Sequence, residues 1–163
     1  MNKINRGGLE FWVDGACSGN PGKGGFGVIC IEDGEILHIY SKQCENTTNN
    51  REELKAILHV LKHMYCAAIE ITIFSDSAYC VNMLNKWIWD WAENDWKNSK
   101  GREVENIDLV KELYHYLRKA KNVMIVKVDG HSGILGNELA DALATNNKTK
   151  FMTLCKKNNL EDF

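Results

Sequence analysis

The sequence predicts a mixed α/β fold: a five-stranded sheet opening with three antiparallel strands, closing with two parallel ones, and carrying packed helices. Three observations lead there. The first third alternates apolar and other residues with a period of two and is punctuated by glycine-rich turns. Beyond Asn50 the apolar spacing becomes helical. Two later β-branched runs, Ile69 to Phe74 and Val123 to Val128, are separated by helical stretches, as in βαβ crossovers.

Leu9, Phe11 and Val13 alternate along the first strand, which ends at Asp14. Gly15 to Gly22 is a dense turn signal, Gly25 to Ile31 fits the second strand, and Asp33-Gly34 is a hairpin pair leading into a third strand, Glu35 to Tyr40. Leu54, Ile57, Leu58, Leu61 and Tyr65 then mark a helix over 50–66, with Thr48, Asn49 and Asn50 as candidate caps. Ser75-Asp76-Ser77 closes the fourth strand and can cap a helix reaching about Lys86, and the Trp-rich stretch 87–96 reads as helical. A polar loop, Lys97 to Glu105, precedes a helix marked by Ile107, Val110, Leu113 and Leu117. The fifth strand leads into a flexible loop, Gly130 to Gly136, and a short helix, Asn137 to Thr145. The expected organisation is one domain over 1–147 and a basic, loosely ordered tail over 148–163.

Composition narrows the class. With 44% hydrophobic and 26% charged residues the chain is globular rather than disordered. No apolar run reaches the ~18 residues of a membrane span, and the N-terminus lacks a secretory signal, so a cytoplasmic location is expected. Six cysteines without a C-x-x-C pair read as thiols, several of them buried. The net charge of −2 disfavours a nucleic-acid partner at first sight, but setting four cation-binding acids aside turns −2 into +2.

The chemistry is expected at acids closing buried elements. If the first and fourth strands are parallel neighbours, Asp14 and Asp76 project from one end of the sheet, where open α/β sheets hold ligands. Glu53 lies in the first turn of a helix and Asp141 on the last predicted helix. Converging carboxylates require cations between them, and an oxygen-only set suits Mg²⁺ or Mn²⁺ better than zinc. Taken singly, each acid has a plainer explanation as turn former, helix cap or solvent-facing charge.

Four local strings outweigh those explanations jointly. Val13 to Gly22, Thr47 to Leu54, Phe74 to Ser77, and Gly130-His131-Ser132-Gly133 with Asn137 to Asp141 resemble, in order, the four motifs of type 1 ribonuclease H. They cover roughly Leu9 to Asn147. The resemblance implies a ribonuclease H-like fold with helices on both faces of the mixed sheet. It implies endonucleolytic hydrolysis of the RNA strand of RNA–DNA hybrids through two Mg²⁺ ions, with Mn²⁺ a possible substitute, leaving 5′-phosphate and 3′-hydroxyl ends. Asp14, Glu53, Asp76 and Asp141 match the family's metal-binding carboxylates; Glu53 is preferred to Glu52 because the family acid directly precedes the leucine. His131 matches a histidine on a mobile loop near the scissile phosphate. Cys17, Asn20, Thr48, Asn49, Asn50 and Asn137 match positions at the substrate surface, and Tyr79, Trp87 and Trp91 match aromatics of the DNA-strand channel, whereas Trp89 and Trp96 are expected to be structural. The segment Glu93 to Glu105 departs from the strongly basic protrusion of many bacterial relatives, with four acids against three bases. The expected partner is a hybrid duplex, bound by a monomer with no membrane association. A hybrid-binding domain without catalysis is the alternative from another class.

Overall fold

A computed structural model describes residues 8–160. The sheet is built from β1 (Leu9–Cys17), β2 (Gly22–Glu32), β3 (Glu35–Thr47), β4 (Ile71–Ser75) and β5 (Val123–Lys127), in the spatial order β3-β2-β1-β4-β5. The first three strands pair antiparallel, and β1–β4 and β4–β5 pair parallel. The mixed sheet expected from the sequence is therefore present, with β1 at its centre.

Strand alternation sorts the two faces. Phe11 and Val13 of β1, Val28 of β2 and Ile73 of β4 are fully buried in one core, beneath α1 (Asn49–His59), α2 (Ala78–Asn82), α3 (Ile88–Glu93) and α4 (Ile107–Leu117). On the other face Trp12 stacks on Phe74 at 4.3 Å between ring centroids. That face lies under α5 (Leu135–Ala144) and α6 (Lys148–Lys157), whose core includes Ile29, Leu139, Ala142 and Phe151. A Cβ at Gly136 would collide with the Trp12 ring, so glycine there lets α5 lie directly on β1.

The structure differs from the sequence expectations at several boundaries. β1 runs on to Cys17 because Ala16 and Cys17 still pair with Gly25 and Gly24 of β2. β3 runs seven residues past Tyr40, to Thr47. It is an edge strand, so the exposed polar string after Tyr40 keeps its backbone pairing with β2 while its side chains face water. The first helix passes into a π turn over Val60–Met64, as does α2 over Met83–Trp87. α5 starts two residues before Asn137.

The largest correction concerns residues 148–163. In place of a loose tail, Asn147 caps α6 by accepting from the Lys150 N–H at 3.0 Å. Phe151 and Cys155, four apart, bury one face of the helix, and Leu160 follows into the same core. The lysines sit on the other faces, and they gave the segment its tail-like composition. Residues 161–163, like residues 1–7 of the expected domain, lie outside the described residues. Among the described residues no helix is long and apolar enough to cross a membrane.

If α6 is part of the core, Phe151→Ala should lower the unfolding free energy by about 3–5 kcal/mol. Urea unfolding measures this, and an undocked tail would leave the midpoint unchanged.

Candidate active site

The parallel pairing of β1 with β4 sets Trp12 opposite Phe74. Two residues further along each chain stand Asp14 and Asp76, at the same C-terminal end of the sheet. The third acid comes from α1. A side chain at Gly15 would occupy the space of the Glu52–Glu53 backbone, so its absence lets the first turn of α1 press against β1. The Gly15 N–H then donates to Glu53 Oε2 at 2.8 Å, and Ser75 Oγ donates to Glu53 Oε1 at 2.6 Å. Both Glu53 oxygens are thereby oriented. One carboxylate oxygen each from Asp14, Glu53 and Asp76 lies within 4.8 Å of the others, and Asp14 and Glu53 are buried. Glu52 points elsewhere: its Oε2 accepts from Thr47 Oγ1 at 2.6 Å and pairs with Lys55 at 2.7 Å.

Asp141, on α5, comes from the other face of the sheet and stands outside this group of three, though its charge helps to push the Asp14 carboxyl up. Its Oδ2 accepts from Lys150 Nζ of α6 at 2.7 Å, and the same ammonium lies 3.2 Å from Glu138. The sequence carries no spacing signal that would pair Lys150 with Asp141. Its nine-residue offset from Asp141 spans two helices and their junction, so no single-helix spacing pairs them.

Asn137 is buried, and both ends of its amide are engaged. Nδ2 donates to Asp76 Oδ2 at 3.1 Å, and Oδ1 accepts from the His131 N–H at 3.3 Å. It was expected at the substrate surface; it instead latches the His131 loop to Asp76. The loop also touches that carboxylate through Gly130, where a Cβ would come within 2.7 Å of Asp76 Oδ2. His131 itself is exposed, with φ of 53°, beside this contact.

Crowding changes the acids. Burial drives the Asp14 carboxyl well above the usual carboxylate range, and the charges on Glu53 and Asp76 push it further. Burial also raises Glu53, while the donors Ser75 and Gly15 pull it back. An oxygen-only donor set with this unrelieved repulsion fits a small, hard divalent cation; the residues present suit Mg²⁺ or Mn²⁺ and lack the nitrogen or sulfur donors typical of zinc.

The sequence matches the RNase H family profile over residues 6–149. The chain belongs to the RNase H family. It is 47% identical over 137 residues to a ribonuclease H of Caldicellulosiruptor saccharolyticus, covering 83% of this chain and 92% of that protein. It is 41% identical over 153 residues to the ribonuclease H of Orientia tsutsugamushi, covering 92% of this chain and 88% of that protein. Among solved structures it is similar to LC9-RNase H1, a type 1 RNase H with the type 2 active-site motif, at 28% identity and a TM-score of 0.72, covering 88% of this chain and 72% of that one.

Around the acids of this RNase H chain the remaining expected positions fall into two groups. Beside β1, Cys17 Sγ donates to the Thr47 carbonyl at 3.2 Å, and exposed Asn20 accepts from the Asn49 N–H at 2.9 Å. Thr48 caps α1 by accepting from the Arg51 N–H at 3.2 Å, with Asn50 partly exposed next to it. The aromatics form the other group. Tyr79 and Trp87 are over a third exposed and meet edge to face at 5.6 Å, and Trp91 follows at 6.2 Å from Trp87. Trp87, Trp91 and the 97–99 turn line a groove of about 570 Å³. Trp96 packs against Tyr114, as the structural role expected of it requires, and Trp89 contacts the same tyrosine while staying partly exposed.

The raised Asp14 carboxyl has a consequence for stability. The native state keeps this proton above the pH at which the unfolded chain loses it, so stability falls as pH rises from the ordinary carboxylate range. Metal-free Asp14→Asn, which cannot ionise there, should melt above wild type, by a margin that is small near pH 4 and wider at pH 8. Adding Mg²⁺ should stabilise wild type and leave the variant unmoved. Thermal melts with chelator and with Mg²⁺ measure both.

Proposed function

We propose that the protein is a metal-dependent endoribonuclease that hydrolyses the RNA strand of RNA–DNA hybrids, leaving 5′-phosphate and 3′-hydroxyl ends. The observation that carries this reading is the convergence of Asp14, Glu53 and Asp76 at one end of β1 and β4, with the charge of Asp141 felt at Asp14. In this reading two Mg²⁺ ions, replaceable by Mn²⁺, supply charge neutralisation at the phosphate and an activated water. Asp14, Glu53, Asp76 and Asp141 would hold the ions, with Asp14 on the central strand among them. Ser75 and Gly15 hold Glu53 in its ligating orientation, and Asn137 does the same for Asp76. His131, on the loop that Asn137 ties down, moves a proton at the scissile phosphate.

Recognition would proceed by shape and 2′-hydroxyls rather than by sequence. Asn20, Thr48, Asn49, Asn50 and Cys17 present donors and acceptors beside the acids, at the surface expected to meet the RNA strand and a DNA phosphate. Tyr79, Trp87 and Trp91 offer flat faces on which deoxyribose packs and a 2′-hydroxyl would crowd. We place the enzyme in the cytoplasm as a monomer; buried thiols such as Cys30 and Cys80 suit a reducing compartment.

The test is cleavage of an internally labelled hybrid with blocked ends, alongside duplex DNA and duplex RNA. Cutting of RNA in the hybrid alone, abolished by chelator, is expected; binding without cutting at saturating Mg²⁺ would instead mark a non-catalytic hybrid-binding domain. Asp14→Asn should reduce turnover by on the order of 10³-fold, as loss of a preorganised electrostatic group does. His131→Ala should cost about 10²-fold, the lower range for a proton-transfer group. Equal effects from the two would contradict the separate roles.

A further inference from the structure

Three of the chain's five histidines gather away from the carboxylates, where β3 passes the C-terminal end of α1. His38 of β3 and His59 of α1 face each other with Nε2 atoms 3.0 Å apart. His63 follows His59 by one helical turn, with ring centroids 5.0 Å apart. Tyr40 stacks on His59 with ring centroids 4.2 Å apart and planes 17° apart, which fixes the ring plane. His59 and His63 line a groove of about 390 Å³ that opens to solvent, and His63 is exposed.

We propose that His38, His59 and His63 form a second metal site, for borderline divalent ions such as Zn²⁺, Cu²⁺ or Ni²⁺ and not for Mg²⁺. Two nitrogens held ~2.0–2.1 Å from one ion, at a bond angle of about 90–110°, stand ~2.9–3.4 Å apart. The 3.0 Å separation of the His38 and His59 nitrogens already meets that requirement. Without metal the same contact is an N–H···N hydrogen bond. An ion takes the place of that hydrogen, which moves to Nδ1 of the same neutral ring as the tautomer switches, so binding releases no net proton. The three rings do not yet bring their nitrogens within 4.8 Å of one another, so His63 must turn about its side-chain bonds to complete the set.

The surroundings permit this. Burial lowers the affinity of His38 and His59 for protons, and His63 lowers it further at both, so both rings present lone pairs at neutral pH. Lys55 and Lys62, at the groove, are countered by Glu52 at 2.7 Å and Glu112 at 3.4 Å, leaving Lys42 as the nearby lysine that opposes a cation. Imidazole donors select ions that an oxygen-only triad does not, so the two places on this chain would take different metals.

The test titrates Zn²⁺ into the full chain in excess Mg²⁺, and records the electron paramagnetic resonance of bound Cu²⁺ for nitrogen couplings. Wild type and Asp14→Asn should each take one Zn²⁺ and show imidazole nitrogens on Cu²⁺. His59→Gln should weaken Zn²⁺ binding at least tenfold. Because His59 is half-buried, the exposed His63→Ala is the second variant, with an expected loss of threefold or more and an unchanged melt without zinc. A wild-type protein that binds no Zn²⁺ under excess Mg²⁺ overturns the proposal. So does wild-type affinity in either folded variant, or loss of the site in Asp14→Asn.

Discussion

Mutual repulsion among buried carboxylates is the constraint from which the rest of this molecule follows. Asp14 and Glu53 are nearly sealed from water, with Asp76 beside them. Isolated buried charges of one sign are strongly unfavourable, and they persist only where surrounding structure holds them. Here the holding elements are the central strand, its parallel neighbour, and the first turn of a helix pressed onto a glycine. The sheet order is functional in this sense, because only a parallel β1–β4 pair brings residues 14 and 76 to the same end.

The two faces of the sheet contribute unequally. The α1 face supplies Glu53 and its two donors. The α5–α6 face supplies Asp141, Asn137 and Lys150, and all three depend on how closely α5 lies on β1 at Gly136. Lys150 is the local answer to the repulsion on that side: its ammonium offsets Asp141 and Glu138 together. An incoming divalent ion at Asp141 must therefore compete with a tethered cation. α6 thus bears on the acidic site through Lys150 as well as on the core through Phe151.

Much of this was legible in the residues. Period-two alternation placed the strands, the change of period placed α1, and Asp14 and Asp76 come to one end of the sheet as the parallel-neighbour reading expected. The preference for Glu53 over Glu52 rested on adjacency to a leucine, and the structure sends the two side chains in different directions. What stayed hidden has physical causes. The polar end of β3 looks like a loop because an edge strand is held by backbone bonds that leave no side-chain signature. α6 looks like a tail because its lysines outnumber the apolar positions that bury it. Asn137 reads as a surface amide because only tertiary placement shows that both of its ends are already bonded.

The weakly charged segment between Glu93 and Glu105 bears on how a polyanion would be held. Its turn is rigidified by Asn98, whose side chain accepts from the Lys100 and Arg102 N–H groups. It walls the Trp87–Trp91 groove and contains Lys97, Lys100 and Arg102, yet Glu93, Asp95, Glu103 and Glu105 cancel that charge. Long-range attraction to phosphates scales with uncompensated positive charge and is screened by salt. Short-range contacts, such as rings against sugars and amides against hydroxyls, do not scale that way. A hybrid bound here would therefore owe more of its affinity to the aromatic groove and the Asn20–Asn50 surface than it would on a relative with a basic protrusion, and its binding would depend correspondingly less on ionic strength.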